Sequence, residues 1–130
     1  EHFVSSELKR WGLSDGDLVL VGFSQGTMMA LHTALRRDTA PAGVLGYSGA
    51  LAGPERLKQE MSARPPILLI HGDKDEVLPV GMTLMAAQGL CAAGHGAEFH
   101  ISQGIPHSIG PDGLELGQRF IENALAGKLT

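Results

Sequence analysis

The chain has 130 residues, which is the length of one domain and leaves no room for a second. Hydrophobic residues make up 43% and charged residues 18% of the sequence, a balance that excludes a disordered chain and predicts a globular protein. Ten Lys and Arg against fourteen Asp and Glu give a formal net charge of −4. The basic residues are scattered, so nucleic acid is not an expected partner, and no uncharged segment approaches the ~18 residues of a membrane-spanning helix, so no membrane insertion is expected.

The first half of the chain predicts two helices and two strands. Apolar residues recur at helical spacing over residues 3–11, and Gly12 is typical of the end of a helix. Residues 18–21 form a continuous apolar run that is too short for a helix, which predicts a strand buried on both faces. A second helical pattern follows Ser24 and continues to about residue 37. Residues 42–47 then have the pattern of another strand, followed by a loop rich in Gly and Pro.

The second half continues the same alternation. A short helix is predicted over residues 55–61, a buried strand over 67–70 and a helix over 80–93. Residues 97–101 alternate as a fourth strand does, and the last helix has its apolar stripe over residues 116–125. Alternating strands and helices predict an α/β fold: a parallel sheet of about four strands, joined by right-handed crossovers and covered by helices on both faces.

Three sulfur-containing side chains are expected in the core. Met28 and Met29 lie in the helical pattern after Ser24, and Cys91 lies in the helical pattern over residues 80–93. Because small thiols without a neighbouring base are usually inert core residues, we expect Cys91 to be buried. A single cysteine cannot form an internal disulfide, which favours a reducing compartment and predicts a cytoplasmic location.

One motif carries a clear chemical expectation. Gly22-Phe23-Ser24-Gln25-Gly26 fits the pattern G-x-S-x-G, with an apolar strand before it and a helical pattern after it. This context predicts a sharp turn that exposes Ser24 at the carboxyl end of a strand and at the start of a helix. We expect the two flanking glycines to be needed because a Cβ at either position would clash.

A serine nucleophile requires a base, and the base requires a carboxylate, from loops at the same edge of the sheet. His107 follows the fourth predicted strand. Asp73 and Asp75 both follow the strand at 67–70, and from spacing alone either carboxylate could face the histidine. The chain order of serine, acid and histidine is the order expected for a serine in such a turn.

Other residues near these strand ends predict a substrate pocket rather than a second nucleophile or a metal site. Ser48 also ends a strand but lacks the glycine spacing of the turn, so we expect it to line a substrate pocket. His71, Asp73 and Asp75 alternate along a tight loop and point apart, so no metal site is expected. Phe23 flanks the serine and is expected on the substrate side.

The motif around Ser24, the segment from His71 to Pro79 and Pro106-His107-Ser108 together resemble the carboxylesterase/phospholipase family of α/β-hydrolases, which includes acyl-protein thioesterases. The resemblance implies that Ser24 is the nucleophile, Asp75 the acid and His107 the base, with the backbone N–H of Gln25 as one oxyanion donor. It implies hydrolysis of carboxylic esters, thioesters or lysophospholipids through an acyl-enzyme, with no metal or cofactor. A small or lipid-like acyl ester is the expected partner, bound near Phe23, Ser48 and Leu78.

The chain departs from this family in one respect. Its relatives have further strands before the nucleophile, including a His-Gly loop that supplies a second oxyanion donor. We therefore expect residues 1–130 to be a single, N-terminally incomplete domain, the C-terminal part of an α/β-hydrolase fold. The alternative is a catalytically silent module that associates with another chain, such as a second copy, through the open edge of the strand at 18–21.

Overall fold

The computed structural model describes residues 2–129, in which helices and strands alternate as the sequence predicts. The elements are α1 (His2–Trp11), β1 (Val19–Phe23), α2 (Gln25–Leu35), β2 (Gly43–Tyr47), α3 (Pro54–Glu60), β3 (Ile67–Gly72), α4 (Gly81–Ala92), β4 (Glu98–Ser102) and α5 (Pro111–Leu125). Gly12 ends α1 at φ 67°, with the N–H of Leu13 bonded to Leu8 O at 2.8 Å. This left-handed glycine is the predicted end of the helix. No helix in this described range has the length and apolar character needed to cross a bilayer.

The four strands form one parallel sheet in the order β1-β2-β3-β4. Val19 pairs with Gly43, Val44 with Ile67 and Leu68 with Glu98. Because all strands run in the same direction, their carboxyl ends meet at one edge, and the loops that follow them share that edge. The predicted α/β fold class is confirmed.

Helices cover both faces of the sheet, as predicted. On one face, α2 packs against β1 and β2, α4 packs against β3 and β4, and α3 packs against α4; the core there includes Leu31, Leu35, Leu57, Leu69 and Leu90. On the other face, Phe120 of α5 packs against Leu45, Tyr47 and Ile70. Strand β2 lies between these two layers and is buried along its whole length.

Strand β1 does not have the burial that the sequence predicts. In the described chain it pairs only with β2, so it is an edge strand. Val21 is 55% exposed and Phe23 is 41% exposed. The continuous apolar run correctly predicted a strand, but the prediction that it is buried on both faces is wrong because α5 does not fully cover β1 and leaves an open groove lined by Val21 and Ile121.

Two of the sulfur-containing residues expected in the core lie on the surface. Met29 is 65% exposed and Cys91 is exposed, whereas Met28 is partly buried. The reason is helical phase. Leu90 is fully buried on the inner face of α4, and the next residue, Cys91, is turned by about 100° around the helix axis and faces outward.

Candidate active site

Ser24 lies in the sharp turn between β1 and α2. Its backbone has φ 57° and ψ −118°, a conformation that L-residues rarely adopt. The N–H of Ser24 donates to Tyr47 O at 2.9 Å, and the N–H of Thr27 donates to Ser24 O at 3.0 Å. These two bonds hold the strained residue between the ends of β1 and β2 and the first turn of α2.

The two glycines of the motif have different roles. A Cβ on Gly22 would lie 2.5 Å from the backbone nitrogen of Thr27 and would also overlap the carbonyl group of Gly26. A Cβ on Gly26 would meet no described atom within 4 Å. The prediction that both glycines are sterically required is therefore right for Gly22 and wrong for Gly26, because strand and helix approach most closely at the first glycine.

The structure brings Ser24, His107 and Asp75 together at the carboxyl edge of the sheet. His107 Nε2 lies 3.2 Å from Ser24 Oγ, and His107 Nδ1 lies 2.7 Å from Asp75 Oδ2. A carboxylate only accepts hydrogen bonds, so Nδ1 carries the proton and Nε2 offers its lone pair to the serine hydroxyl. The arrangement is the one that a serine nucleophile and its general base require.

The Asp75 carboxylate is buried, at 8% exposure, and its acceptor positions are well used. Its Oδ1 accepts from the backbone N–H groups of Val77 at 2.9 Å and Leu78 at 2.8 Å. Burial acts to raise the pKa of Asp75, but the hydrogen bond from His107 and those from the two backbone N–H groups outweigh it, so the pKa lies below its ordinary value. Asp75 is therefore an anion when the imidazole is in place.

Asp73, the other carboxylate that the spacing allowed, contacts a different group. Its Oδ1 accepts from the N–H of Gly104 at 2.7 Å. Lys74 N also donates to Ile105 O at 3.0 Å. Asp73 thus connects the loop after β3 to the loop that carries His107, whereas the carboxylate that contacts that imidazole is Asp75.

The predicted substrate residues lie in three different environments. The Phe23 ring lies against His107, with centroids 4.9 Å apart and planes tilted by 49°. Leu78 is partly buried in the loop of the acid. Ser48 is 1% exposed, has φ 51°, and its Oγ has no hydrogen-bond partner among the described residues. Gln25 begins α2, where a helix leaves backbone N–H groups without an intrahelical partner.

His71, which in the sequence suggested only a metal ligand, contacts the acid of this site. It is fully buried behind the acid, and its Nε2 lies 3.2 Å from Asp75 Oδ2. In the sequence, the signal for this contact was that His71, at the end of a predicted strand, lies four residues before Asp75. Residues 2–129 contain no group of three His, Cys, Asp or Glu side chains arranged to hold a metal ion.

An open cleft of about 480 Å³ adjoins the base and is lined by His107, Pro106, Gly104, Lys74, Glu76 and Val77. A separate apolar groove of about 440 Å³ runs between the outer face of β1 and α5, and includes Val21 and Ile121. A third depression, of about 790 Å³, lies near the amino ends of β3 and β4. Only the first of these contacts a residue of the Ser24–His107–Asp75 group.

Comparison with known proteins places the chain in a family. A family model described as phospholipase/carboxylesterase matches residues 1–125. The chain belongs to this family. It is 33% identical, over 97% of its length, to acyl-protein thioesterase 1 of Saccharomyces cerevisiae, of which the match covers 57%. It is 29% identical, over 78% of its length, to the esterase YpfH of Escherichia coli, of which 42% is covered.

Solved structures agree with this assignment. The crystal structure of esterase PE8 has a TM-score of 0.90 with this chain at 41% sequence identity, over 95% of this chain and 57% of that one. The crystal structure of SOBER1 from Arabidopsis thaliana has a TM-score of 0.88 at 24% identity, over 95% of this chain and 60% of that one, and supports the fold. The chain spans about half the length of the curated relatives it matches.

Proposed function

We propose that this chain carries the nucleophile, base and acid of a serine hydrolase that cleaves carboxylic esters through an acyl-enzyme. The observation that carries the proposal is the continuous hydrogen-bonded series from Ser24 Oγ through His107 to Asp75, at 3.2 Å and 2.7 Å. Membership of the phospholipase/carboxylesterase family supports the same chemistry.

In the first step, Ser24 Oγ attacks the carbonyl carbon of the ester while its proton passes to His107 Nε2. The carbonyl oxygen becomes an oxyanion, and we propose that the backbone N–H of Gln25, the first residue of α2, donates to it. Asp75 stabilises the imidazolium that forms and keeps the ring in the orientation that presents Nε2 to the serine.

In the second step, His107 returns its proton to the departing alcohol or thiol, and the carbonyl reforms as an ester of Ser24. Water then attacks this acyl-enzyme while His107 takes one of its protons, and His107 returns that proton to Ser24 Oγ as the carboxylic acid leaves. These residues supply every proton transfer, so the proposed reaction uses no metal or cofactor.

The proposed substrates are small or lipid-like acyl esters. One relative is named acyl-protein thioesterase and the family is described as phospholipase/carboxylesterase, so we include thioesters and lysophospholipids in the proposed substrate class. Phe23, beside the base, and Leu78, in the acid loop, are proposed to contact the acyl or leaving group. Ser48, which is 1% exposed, stays a proposed pocket residue. The cytoplasmic location stays a prediction.

A second candidate function draws on the open sheet edge. Val21 is 55% exposed on β1, and apolar grooves that share this residue flank the strand on the sides of α2 and α5. Such an edge favours pairing with another chain, including a second copy. This silent-module function predicts a stable complex in sedimentation together with a Ser24 that does not react.

Fluorophosphonate labelling tests the proposed function. Attack by an activated serine forms a phosphorus–oxygen bond and expels fluoride, which intact mass detects as one adduct. We expect one adduct on the native chain and on the Ser48→Ala variant, which alters the other strand-end serine of positive φ, and none on Ser24→Ala. An adduct on Ser24→Ala, or no adduct on a native chain that circular dichroism shows to be folded, would contradict the proposal.

A further inference from the structure

His71 is a fully buried imidazole whose three polar contacts join three segments of the site. It lies near the end of β3, with 0% exposure. Its Nδ1 lies 2.8 Å from Thr83 Oγ1 in α4. Its Nε2 lies 2.7 Å from Leu78 O and 3.2 Å from Asp75 Oδ2. Because a buried polar group is costly unless it is hydrogen-bonded, these contacts account for both ring nitrogens.

The chemistry of the neighbours fixes the proton on Nε2. Leu78 O and the Asp75 carboxylate are both acceptors, so Nε2 must donate, and its N–H is shared between them. The hydroxyl of Thr83 can donate to a bare Nδ1. A neutral imidazole with the proton on Nε2 therefore satisfies every polar atom in this cluster.

The oxygen that His71 reaches is the one that holds the base. Asp75 Oδ2 lies 2.7 Å from His107 Nδ1, while Oδ1 is occupied by two backbone N–H groups. A second imidazole N–H on Oδ2 fixes the rotation of the carboxylate and withdraws charge from that oxygen. We infer that His71 is a positioning residue of the proposed active site: its Nε2–H holds Asp75 Oδ2 in the orientation that binds His107 and weakens the pull of that oxygen on the His107 proton.

The inference rests on the proposed function and has its own signature in the pH profile of kcat/KM. Without the His71 donor, Oδ2 would hold the His107 imidazolium more strongly, and the acidic limb of the profile would move to higher pH. Within residues 2–129, the titratable groups in hydrogen-bond or ion-pair contact with Asp75 are His71 and His107. From α4 the contact is the neutral Thr83 hydroxyl, and the charged Lys74 and Glu76 line the cleft beside His107.

A matched pair of substitutions isolates the donor. Gln and Met have the same length, but only Gln can present an N–H near the position of Nε2. In the protein as expressed from its gene, we expect His71→Met to lower kcat/KM about tenfold and to move the acidic limb up by about half a pH unit. We expect His71→Gln to restore most of the rate and to keep the limb within experimental error of the native position.

Two further variants separate positioning from folding. Thr83→Val removes the Nδ1 contact but leaves the Nε2 donor, so we expect lower stability in urea and an unmoved acidic limb. If His71→Met does not fold, His71→Asn replaces it, because the shorter amide ends before Asp75. The inference would be overturned if the acidic limb of the kcat/KM profile lay at the same pH in the Gln variant and in the variants without the donor. It would also be overturned if that limb moved in Thr83→Val. Absence of Ser24-dependent turnover in the folded native protein would instead overturn the proposed function.

Discussion

Replacing Gly22 with Ala tests whether the turn geometry described here is what supports Ser24. The added Cβ would lie 2.5 Å from Thr27 N and would overlap the Gly26 carbonyl, which are backbone atoms that cannot rotate away. Overpacking of this kind costs about 3 kcal/mol, and for a domain of this size that lowers Tm by about 10 °C. The turn must also shift to relieve the overlap, so we expect fluorophosphonate labelling of Ser24 to slow strongly.

Gly26→Ala is the matched control, because it adds the same methyl group four residues away. That Cβ would meet no described atom within 4 Å, and the residue lies in the first turn of α2. Ala is a better helix former than Gly, by about 1 kcal/mol, so the control should be equally or more stable than the native chain. Thermal unfolding followed by circular dichroism compares the two. Equal Tm values for both variants would refute the argument that strand and helix meet at Gly22.

Substitutions at three other positions have distinct expected outcomes. Ser24→Gly and Ser24→Ala should both abolish hydrolysis, but the Gly variant should be about 1 kcal/mol more stable than the Ala variant in urea because φ 57° suits glycine. Equal stability of the two variants would argue against strain at this turn. Asp75→Asn should lower kcat about 10⁴-fold. The folded-state pKa of Asp75 is lowered, so its charge stabilises the native state above the unfolded pKa of about 3.9. That stability is lost as the pH falls through the lower folded value. The Asn variant should therefore lose less stability on acidification, which unfolding followed during an acid titration would measure. Tyr47→Phe removes a buried hydrogen bond from Tyr47 Oη to Gly113 O of 2.9 Å, and should cost about 1 kcal/mol in urea unfolding without changing the labelling rate of Ser24.

The order and type of the elements could be predicted because each apolar run is short and bounded by Gly, Pro or charged residues. Those signals are local, and they predicted where along the chain all four strands of the described sheet lie. Parallel pairing then required the loops after β1, β3 and β4 to share an edge, which is why Ser24, Asp75 and His107 could be expected near one another.

What covers each apolar side chain was less predictable. An apolar run indicates a strand but not the presence of a neighbour, so the exposure of Val21 was missed. The outward orientation of Met29 and Cys91 depends on the phase of each helix against the sheet, which two or three residues of periodicity do not fix.

Contacts within and between the loops were the feature least predictable from the sequence. In the structure, the fold of the loop after β3 brings Asp75 into contact with His107 and Asp73 into contact with Gly104. There, Val77 and Leu78 turn their N–H groups onto Asp75, while Gly104 binds Asp73. The bonds to Asp75 lie within one loop, whereas the bond to Asp73 depends on the relative position of two loops, because Gly104 is 31 residues away in the sequence.

Trapping of the acyl-enzyme tests the central claim most directly. The protein would be mixed with a p-nitrophenyl ester, quenched in acid within the first turnover, and digested for peptide mass mapping. The account predicts one acyl group on the peptide that contains Ser24, and its absence in His107→Ala. An acyl group on Ser48 or on the exposed thiol of Cys91, with Ser24 unmodified, would contradict the assignment of Ser24 as the nucleophile.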